Sequence, residues 1–251
     1  MPYKHGKSLI DNSLAFRLAS TLTFYTVWPV AQFVNILFYS SSYENIGKLK
    51  GIPRAIVVSN HTTFLDPVMI SRIFLPGRTW HTLLEATVET PVLGTLTRLL
   101  GGMPIPRGRS GFRQLAAECE KAFKHRRFIH FYPEGECYLY NQQVREFKPG
   151  AFLIAAELDI PVVPLATVFS EGRINRGNFW GRSLPRQKLV VLDPVYPAQF
   201  ISRDDKGEIK MDSVHQFAGA VRDVIQTEID SRSGTSAFYR GKMDRIKGIN
   251  D

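Results

Sequence analysis

His61 and Asp66 are the two side chains of this 251-residue chain whose types and spacing suggest proton-transfer chemistry. A histidine paired with a carboxylate can act as a general base on a hydroxyl group, because the carboxylate fixes the tautomer and stabilises the imidazolium. Five residues along a continuous helix would turn the two side chains ~140° apart, so they meet only if the chain bends between them. A structural interpretation is also open, in which Asp66 caps a helix that begins at Pro67 and His61 is a loop residue.

The elements that must position this pair follow from the apolar pattern. Short apolar runs alternate with helical stretches after residue 51, which predicts an α/β domain. His61 directly follows a predicted strand at 55–59, and the sequence PEGE at 133–136 directly follows another at 128–132. Ligands of such domains bind at strand ends, so these two segments are the candidate site. Further strands are predicted at 79–86, 162–168 and 188–193, and helices at 67–74, 91–100, 112–123, 149–158 and around 214–225.

The N-terminal segment contains no charged residue between positions 18 and 43. As a helix, residues 18–39 would reach ~33 Å, enough to cross a bilayer core. Pro29 lies in the middle, Gln32 and Asn35 interrupt the apolar run, and basic residues flank both ends. This pattern predicts a membrane-associating hydrophobic helix pair that dips into one leaflet around the proline. A cleaved signal peptide and a buried core helix pair are the alternatives.

Composition narrows the class of protein. The chain is 44% hydrophobic, which excludes a disordered chain, and it has two cysteines without a CxxC pair, which argues against a disulfide framework or a cysteine zinc site. Its 32 basic and 23 acidic residues give a net charge of +9. An anionic bilayer or a nucleic acid would fit this charge, but no nucleic-acid-binding signature is present.

Four ordered motifs give a more specific indication. They are NHTTFLDP (60–67), GGMPIPRG (101–108), FYPEGE (131–136) and FKPGAFLIAAELDIPVVP (147–164). In order and spacing they resemble the glycerolipid acyltransferase family, in particular its 1-acyl-glycerol-3-phosphate acyltransferases, over roughly residues 52–168.

The resemblance implies an activity and its partners. The enzyme would move a fatty acyl chain from acyl-CoA or acyl-carrier protein to the hydroxyl of a lysolipid acceptor, most simply forming phosphatidic acid in phospholipid biosynthesis. It would work at a membrane surface, on the cytoplasmic side of the inner or cytoplasmic membrane, with no cofactor, no metal and no nucleic-acid partner. The expected architecture is a mixed, mostly parallel central sheet flanked by helices, with a membrane-associating segment at 1–50 and an acyltransferase domain at 51–251.

The resemblance also implies residue roles. His61 would be the general base and Asp66 would orient it. Arg107 would bind the acceptor phosphate, and Glu134 and Gly135 would shape the same acceptor site. From the residues themselves, Arg107 also fits a solvated basic face, and Gly135 fits a tight turn that needs positive φ.

Two departures from the family pattern concern the acceptor. Glu136 and Cys137 stand where the family usually has threonine and arginine, so one expected phosphate ligand is missing. Leu84 also precedes Glu85, where the family usually has lysine. Another lysophospholipid or an amino-acid lipid is therefore an alternative acceptor. Two other kinds of activity stay open: a non-catalytic binder of anionic lipid or nucleic acid, and a hydrolase that uses the pair on water.

Overall fold

The computed structural model describes residues 8–106, 109–171, 184–232 and 234–244, without the side chains of 109–113. The strands are β1 (Ser42–Glu44), β2 (Ala55–Ser59), β3 (Trp80–Leu84), β4 (Gly102–Ile105), β5 (Phe128–Phe131), β6 (Tyr138–Leu139), β7 (Val162–Ser170), β8 (Arg186–Val191) and β9 (Gly241–Lys242). Seven of them form a central sheet in the order β1-β8-β7-β2-β5-β3-β4, and β6 and β9 form a separate antiparallel pair. All neighbouring strands of the central sheet are parallel except β7 and β8. The expected mixed, mostly parallel sheet is confirmed.

Helices cover both faces of this sheet, which explains why the central strand β2 is buried along its whole length and apolar except for Ser59. The helices are α1 (Leu14–Tyr39), α2 (Asp66–Arg72), α3 (Glu85–Glu89), α4 (Leu93–Leu99), α5 (Arg109–Phe123), α6 (Gly150–Glu157) and α7 (Met211–Ser231), and short 3₁₀ turns lie at Ile46–Leu49 and Pro197–Gln199. One core lies between the sheet and α5, α6 and α7, and a second lies on the opposite face around α2.

The predicted N-terminal helix pair is wrong, because α1 is one continuous helix with Pro29 inside it. Proline removes one backbone hydrogen bond and favours a break. Here side chains on both sides of it are attached to the domain. The Trp28 indole donates to Val68 O at 2.9 Å, and Gln32 Nε2 donates to the Tyr43 hydroxyl at 2.7 Å. These contacts attach the helix to the domain on both sides of Pro29.

The outer face of α1 is apolar and exposed. The helix is long and apolar enough to cross a membrane by length and composition, and only 17% of its most apolar window is buried. It packs on α2 and α4 through a narrow stripe that contains Phe16, Ser20 and Phe24. The segment after it supplies β1 at the sheet edge, and the domain division at residue 50 stays a prediction. The exposed apolar side chains of α1 are Leu14, Leu18, Leu22, Tyr25, Val30, Phe33, Ile36 and Leu37.

The carboxyl ends of three neighbouring strands are tied together. β2 lies between β5 and β7 and is parallel to both. The side chain of Asn60, just beyond β2, accepts from Thr167 N at 2.9 Å and donates to Thr167 O at 3.0 Å. The loop after β2 therefore begins from a fixed point beside β7.

Candidate functional site

His61 and Asp66 meet at the carboxyl end of β2. The distance from His61 Nδ1 to Asp66 Oδ2 is 3.0 Å. A carboxylate can only accept, so Nδ1 carries the hydrogen and Nε2 is left as the acceptor nitrogen. The Asp66 side chain is 1% exposed, whereas the His61 side chain is 20% exposed. The predicted bend between them is confirmed, and the imidazole reaches solvent while its partner does not.

Asp66 is held by the loop that precedes it. Its Oδ2 accepts from Thr62 N at 2.6 Å and Thr63 N at 2.9 Å, and its Oδ1 accepts from Thr63 Oγ1 at 2.7 Å. Gln187 Nε2, from β8, lies 3.4 Å from Oδ1. The structural interpretation that Asp66 caps a helix is wrong in detail. Leu65 occupies the cap position, and the Asp66 carboxylate bonds to residues before the helix instead of to the helix's own first amides.

The loop itself is fixed by the chain that follows the PEGE segment. Tyr138 N donates to His61 O at 3.0 Å, and Tyr140 N donates to Thr62 O at 2.9 Å. These backbone bonds run along β6 and fix the main chain on which the imidazole is mounted.

Glu134 braces the backbone of His61. Its Oε1 accepts from His61 N at 3.0 Å, and its Oε2 accepts from Arg145 N at 3.3 Å. Burial raises the pKa of Glu134 to about 7, the negative charge of Asp66 acts in the same direction, and the two amide donors oppose the rise. Glu134 thus lies within the site as a positioning group, and its role in acceptor binding stays a prediction.

Gly135 makes the tight turn that its residue type suggested. Its φ is +73°, a conformation that glycine adopts without strain, and its N–H donates to Tyr132 O at 3.0 Å. The side chain of Lys148 crosses the space that a Cβ at position 135 would occupy. A larger residue here would displace this lysine, and a role for Gly135 in shaping the acceptor site stays a prediction.

Tyr132 lies flat against the imidazole of His61. The two ring centroids are 3.8 Å apart with 18° between the planes, and His130 contacts Tyr132 edge-on at 4.4 Å. Burial raises the pKa of the Tyr132 phenol well above its usual value, so the hydroxyl stays neutral. The stack limits rotation of the imidazole, and an aromatic face favours a cation above it.

Sequence reasoning missed Tyr132, Thr62, Thr63 and Gln187. Tyr132 ends the predicted strand that leads into the PEGE segment, so its place beside His61 could have been inferred from the adjacency of β2 and β5. The two threonines lie inside the first motif and could have been recognised as donors to Asp66. Gln187 lies beyond all four motifs, and no local signal connects it to them.

The remaining acceptor-site predictions have different outcomes. Arg107 lies outside the described residues. Glu136 forms an ion pair with Lys242 at 3.1 Å, and Cys137 is buried, which raises the pKa of its thiol well above the usual value. Neither residue supplies a cation, whereas the exposed Lys148 places a positive charge against the Gly135 turn.

Comparisons with known proteins agree with this geometry. The family model "Acyltransferase" matches residues 41–168. The 1-acyl-sn-glycerol-3-phosphate acyltransferase of Saccharomyces cerevisiae is 30% identical over 67% of this chain and 53% of its own length. The enzyme of the same name from Escherichia coli is 27% identical over 70% of this chain and 66% of its own length. The chain thus spans about half to two thirds of these relatives.

A solved structure has the same fold. The crystal structure of the 1-acyl-sn-glycerophosphate acyltransferase PlsC from Thermotoga maritima superposes with a TM-score of 0.56, covering 88% of this chain and 98% of that one. The two sequences are 19% identical over this match. This similarity supports the fold assignment.

The brace at Glu134 predicts a pH dependence of stability. The pKa of Glu134 is about 7 in the folded protein against 4.5 for the ordinary group, so the folded state holds its proton more tightly. The free energy of unfolding should therefore fall as pH rises from about 4.5 to about 7, by up to about 3 kcal/mol relative to Glu134→Gln. Urea titrations across this range measure it, with the exposed Glu146→Gln as control. Parallel pH curves for wild type and Glu134→Gln would contradict the assignment.

Proposed function

Because the chain belongs to the acyltransferase family, we propose that it transfers a fatty acyl chain from a thioester to the free hydroxyl of 1-acylglycerol-3-phosphate, forming phosphatidic acid. The observation that carries this proposal is the 3.0 Å contact between His61 Nδ1 and the buried carboxylate of Asp66, with the imidazole at a solvent-accessible strand end. The names of the curated relatives support the same acceptor class.

The proposed reaction uses the free nitrogen of His61. Nε2 takes the proton of the acceptor hydroxyl as its oxygen attacks the thioester carbonyl, and the Asp66 carboxylate stabilises the imidazolium that results. A carbon–oxygen bond forms and the carbon–sulfur bond breaks as the tetrahedral intermediate collapses. The departing thiolate then takes the proton back from His61. Acyl-CoA and acyl-carrier protein both supply such a thioester and are both proposed donors.

The acceptor's phosphate needs cations near the imidazole. We assign Arg107 to this role from the second motif, and Lys148 from its position across the Gly135 turn. Gly135 adjoins Glu134, whose carboxylate bonds to the His61 backbone, so a phosphate bound by Lys148 would lie close to the reacting hydroxyl. Lys148 would then supply a positive charge that Cys137 does not.

The substrates are lipids, so the proposal places the enzyme on a bilayer surface. The exposed apolar face of α1 and the net charge of +9 both favour adsorption to an anionic membrane. Residues on α1 also reach the site, since the Tyr39 and Tyr140 hydroxyls lie 3.1 Å apart. We propose that the catalytic edge faces the cytoplasmic side of the inner or cytoplasmic membrane.

Replacing the base tests the reaction. His61→Ala should lower kcat by about 10² to 10⁴, because that is the usual contribution of a general base. The measurement is transfer of labelled acyl chains from acyl-CoA to 1-acylglycerol-3-phosphate in detergent micelles. His215→Ala, an exposed histidine on α7, is the matched control and should keep wild-type activity. Near-native transfer by His61→Ala would refute the mechanism, and free fatty acid without new lipid from the wild type would indicate a hydrolase.

Removing the proposed phosphate ligands tests the acceptor. Arg107→Ala and Lys148→Ala should each raise KM for 1-acylglycerol-3-phosphate about tenfold, as expected for the loss of one charged hydrogen bond of about 1.5 kcal/mol, and leave KM for the thioester unchanged. Lys206→Ala, in an exposed loop, is the control. An unchanged acceptor KM would remove that residue from the site. Equal use of lysophosphatidylcholine by the wild type would contradict a phosphate-monoester acceptor.

Introducing negative charges on the outer face of α1 tests whether this face adsorbs to the membrane. A double variant Leu22→Asp/Phe33→Asp should reduce binding to anionic vesicles at least tenfold. It removes two exposed apolar side chains that would insert into the bilayer, and it adds two negative charges that anionic lipids repel. Co-sedimentation with vesicles measures it, with Val224→Asp on the partly exposed side of α7 as control. Substitution is preferable to truncation at residue 45, which would also remove β1 from the sheet. Unchanged binding of the double variant would refute this role of α1.

A further inference from the structure

A cavity of about 320 Å³ lies at the amino ends of the strands, whereas His61 lies at their carboxyl ends. It opens between the first turns of α1 and the amino ends of β3 and β5. Because β2, β3 and β5 are parallel, Trp80 and Arg126 at their amino ends are on the far side of the sheet from the catalytic pair. The lining residues that matter here are Asp11, Leu14, Arg17, Leu18, Arg78 and Arg126.

Three arginines, Arg17, Arg78 and Arg126, line this cavity, and none of them forms an ion pair with an acidic residue in the described part of the chain. Arg126 is buried, donates from Nη1 to Thr79 O at 2.7 Å and lies 3.7 Å above the Trp80 ring. Arg78 donates to Ser20 Oγ at 3.0 Å and to Thr21 Oγ1 at 2.9 Å. All of these partners are neutral. Within the described ranges, no carboxylate lies within ion-pair distance of Arg17, Arg78 or Arg126.

The electrostatics of this cluster favour an anion. Burial, and after it the neighbouring positive charge of Arg78, together lower the pKa of Arg126 to about 9. Unpaired buried charge is unfavourable, and repulsion between two guanidinium groups adds to it. Asp11 is the one acidic group among the described residues that line the cavity, and its Oδ1 accepts from Ser13 N at 2.9 Å. A bound phosphate would compensate the arginines.

The apolar part of the lining indicates the source of that phosphate. Leu14 and Leu18, from the first turns of α1, are 69% and 63% exposed and lie beside the arginines. Basic groups next to exposed apolar side chains match a lipid, whose phosphate is attached to acyl chains. We propose that this cavity binds the phosphate of an anionic phospholipid headgroup, at a site separate from the catalytic edge, and so anchors the first turns of α1 to the membrane surface.

Vesicle binding by the full chain, without thioester or lysolipid, tests the site independently of acyl transfer. Vesicles of phosphatidylcholine are compared with phosphatidylcholine mixed with phosphatidylglycerol. Arg17→Gln and Arg78→Gln should each lower binding to the mixed vesicles about fivefold and leave binding to pure phosphatidylcholine unchanged. Arg222→Gln on α7 removes the same charge elsewhere and should change binding less than twofold. A loss in Arg222→Gln equal to that in Arg17→Gln would overturn the proposal.

Two further variants distinguish a specific phosphate site from general electrostatic attraction to the membrane. Arg17→Lys keeps the charge but loses the planar fork that pairs with phosphate, so binding should fall at least twofold. Asp11→Asn removes the negative charge on the lining and should tighten binding. Wild-type binding by both variants would overturn the proposal.

A soluble competitor shows whether the cavity binds the phosphate of a lipid headgroup or a free phosphate. Glycerol phosphate should displace the protein from mixed vesicles only weakly, because it lacks acyl chains to contact Leu14 and Leu18. If it raises the Tm through Arg17 and Arg78 while vesicle binding shows no dependence on headgroup charge, the site binds a free phosphate and the lipid assignment is wrong. Thermal unfolding of each variant verifies that it is folded.

Discussion

The site depends on one buried carboxylate that is saturated with hydrogen-bond donors. A carboxylate removed from water is stable only where nearby groups replace its hydration. The amides of Thr62 and Thr63 and the Thr63 hydroxyl do so for Asp66, and His61 Nδ1 supplies the remaining strong donor. These bonds require the chain to turn sharply between β2 and α2. This change of direction brings together His61 and Asp66, which a regular helix would separate.

Contacts from the surrounding fold hold that turn in place. Asn60 ties its start to β7, the backbone of the chain at and just after β6 holds its middle, and Glu134, beyond the end of β5, accepts from the His61 amide. Three separate parts of the chain thus contact the six-residue loop between β2 and α2. This arrangement explains why the NHTTFLDP and PEGE segments, which build the site, both lie directly after strands.

Much of this could be predicted from the sequence. The strand at 55–59 and the alternation of strands and helices followed from apolar patterns. The meeting of His61 with Asp66 was implied by the resemblance of the four motifs, since the spacing of the pair alone also allowed Asp66 to be a helix cap. Local sequence patterns did not predict the features that depend on contacts between residues far apart in the sequence. Pro29 predicted a break that tertiary contacts of Trp28 and Gln32 prevent. Gln187 approaches Asp66 only because β8 is placed antiparallel beside β7, and no spacing within the motifs encodes that neighbour.

The central claim is that Asp66 fixes the tautomer of His61, with the hydrogen on Nδ1 and the lone pair on Nε2. Nitrogen-15 NMR of the imidazole of His61, in the full chain labelled at histidine and assigned with His61→Ala, measures this directly. The account predicts a protonated Nδ1 and an unprotonated Nε2 in the neutral ring, with the distinction weakened in Asp66→Ala. A ring that carries its hydrogen on Nε2 in the wild-type protein would contradict it.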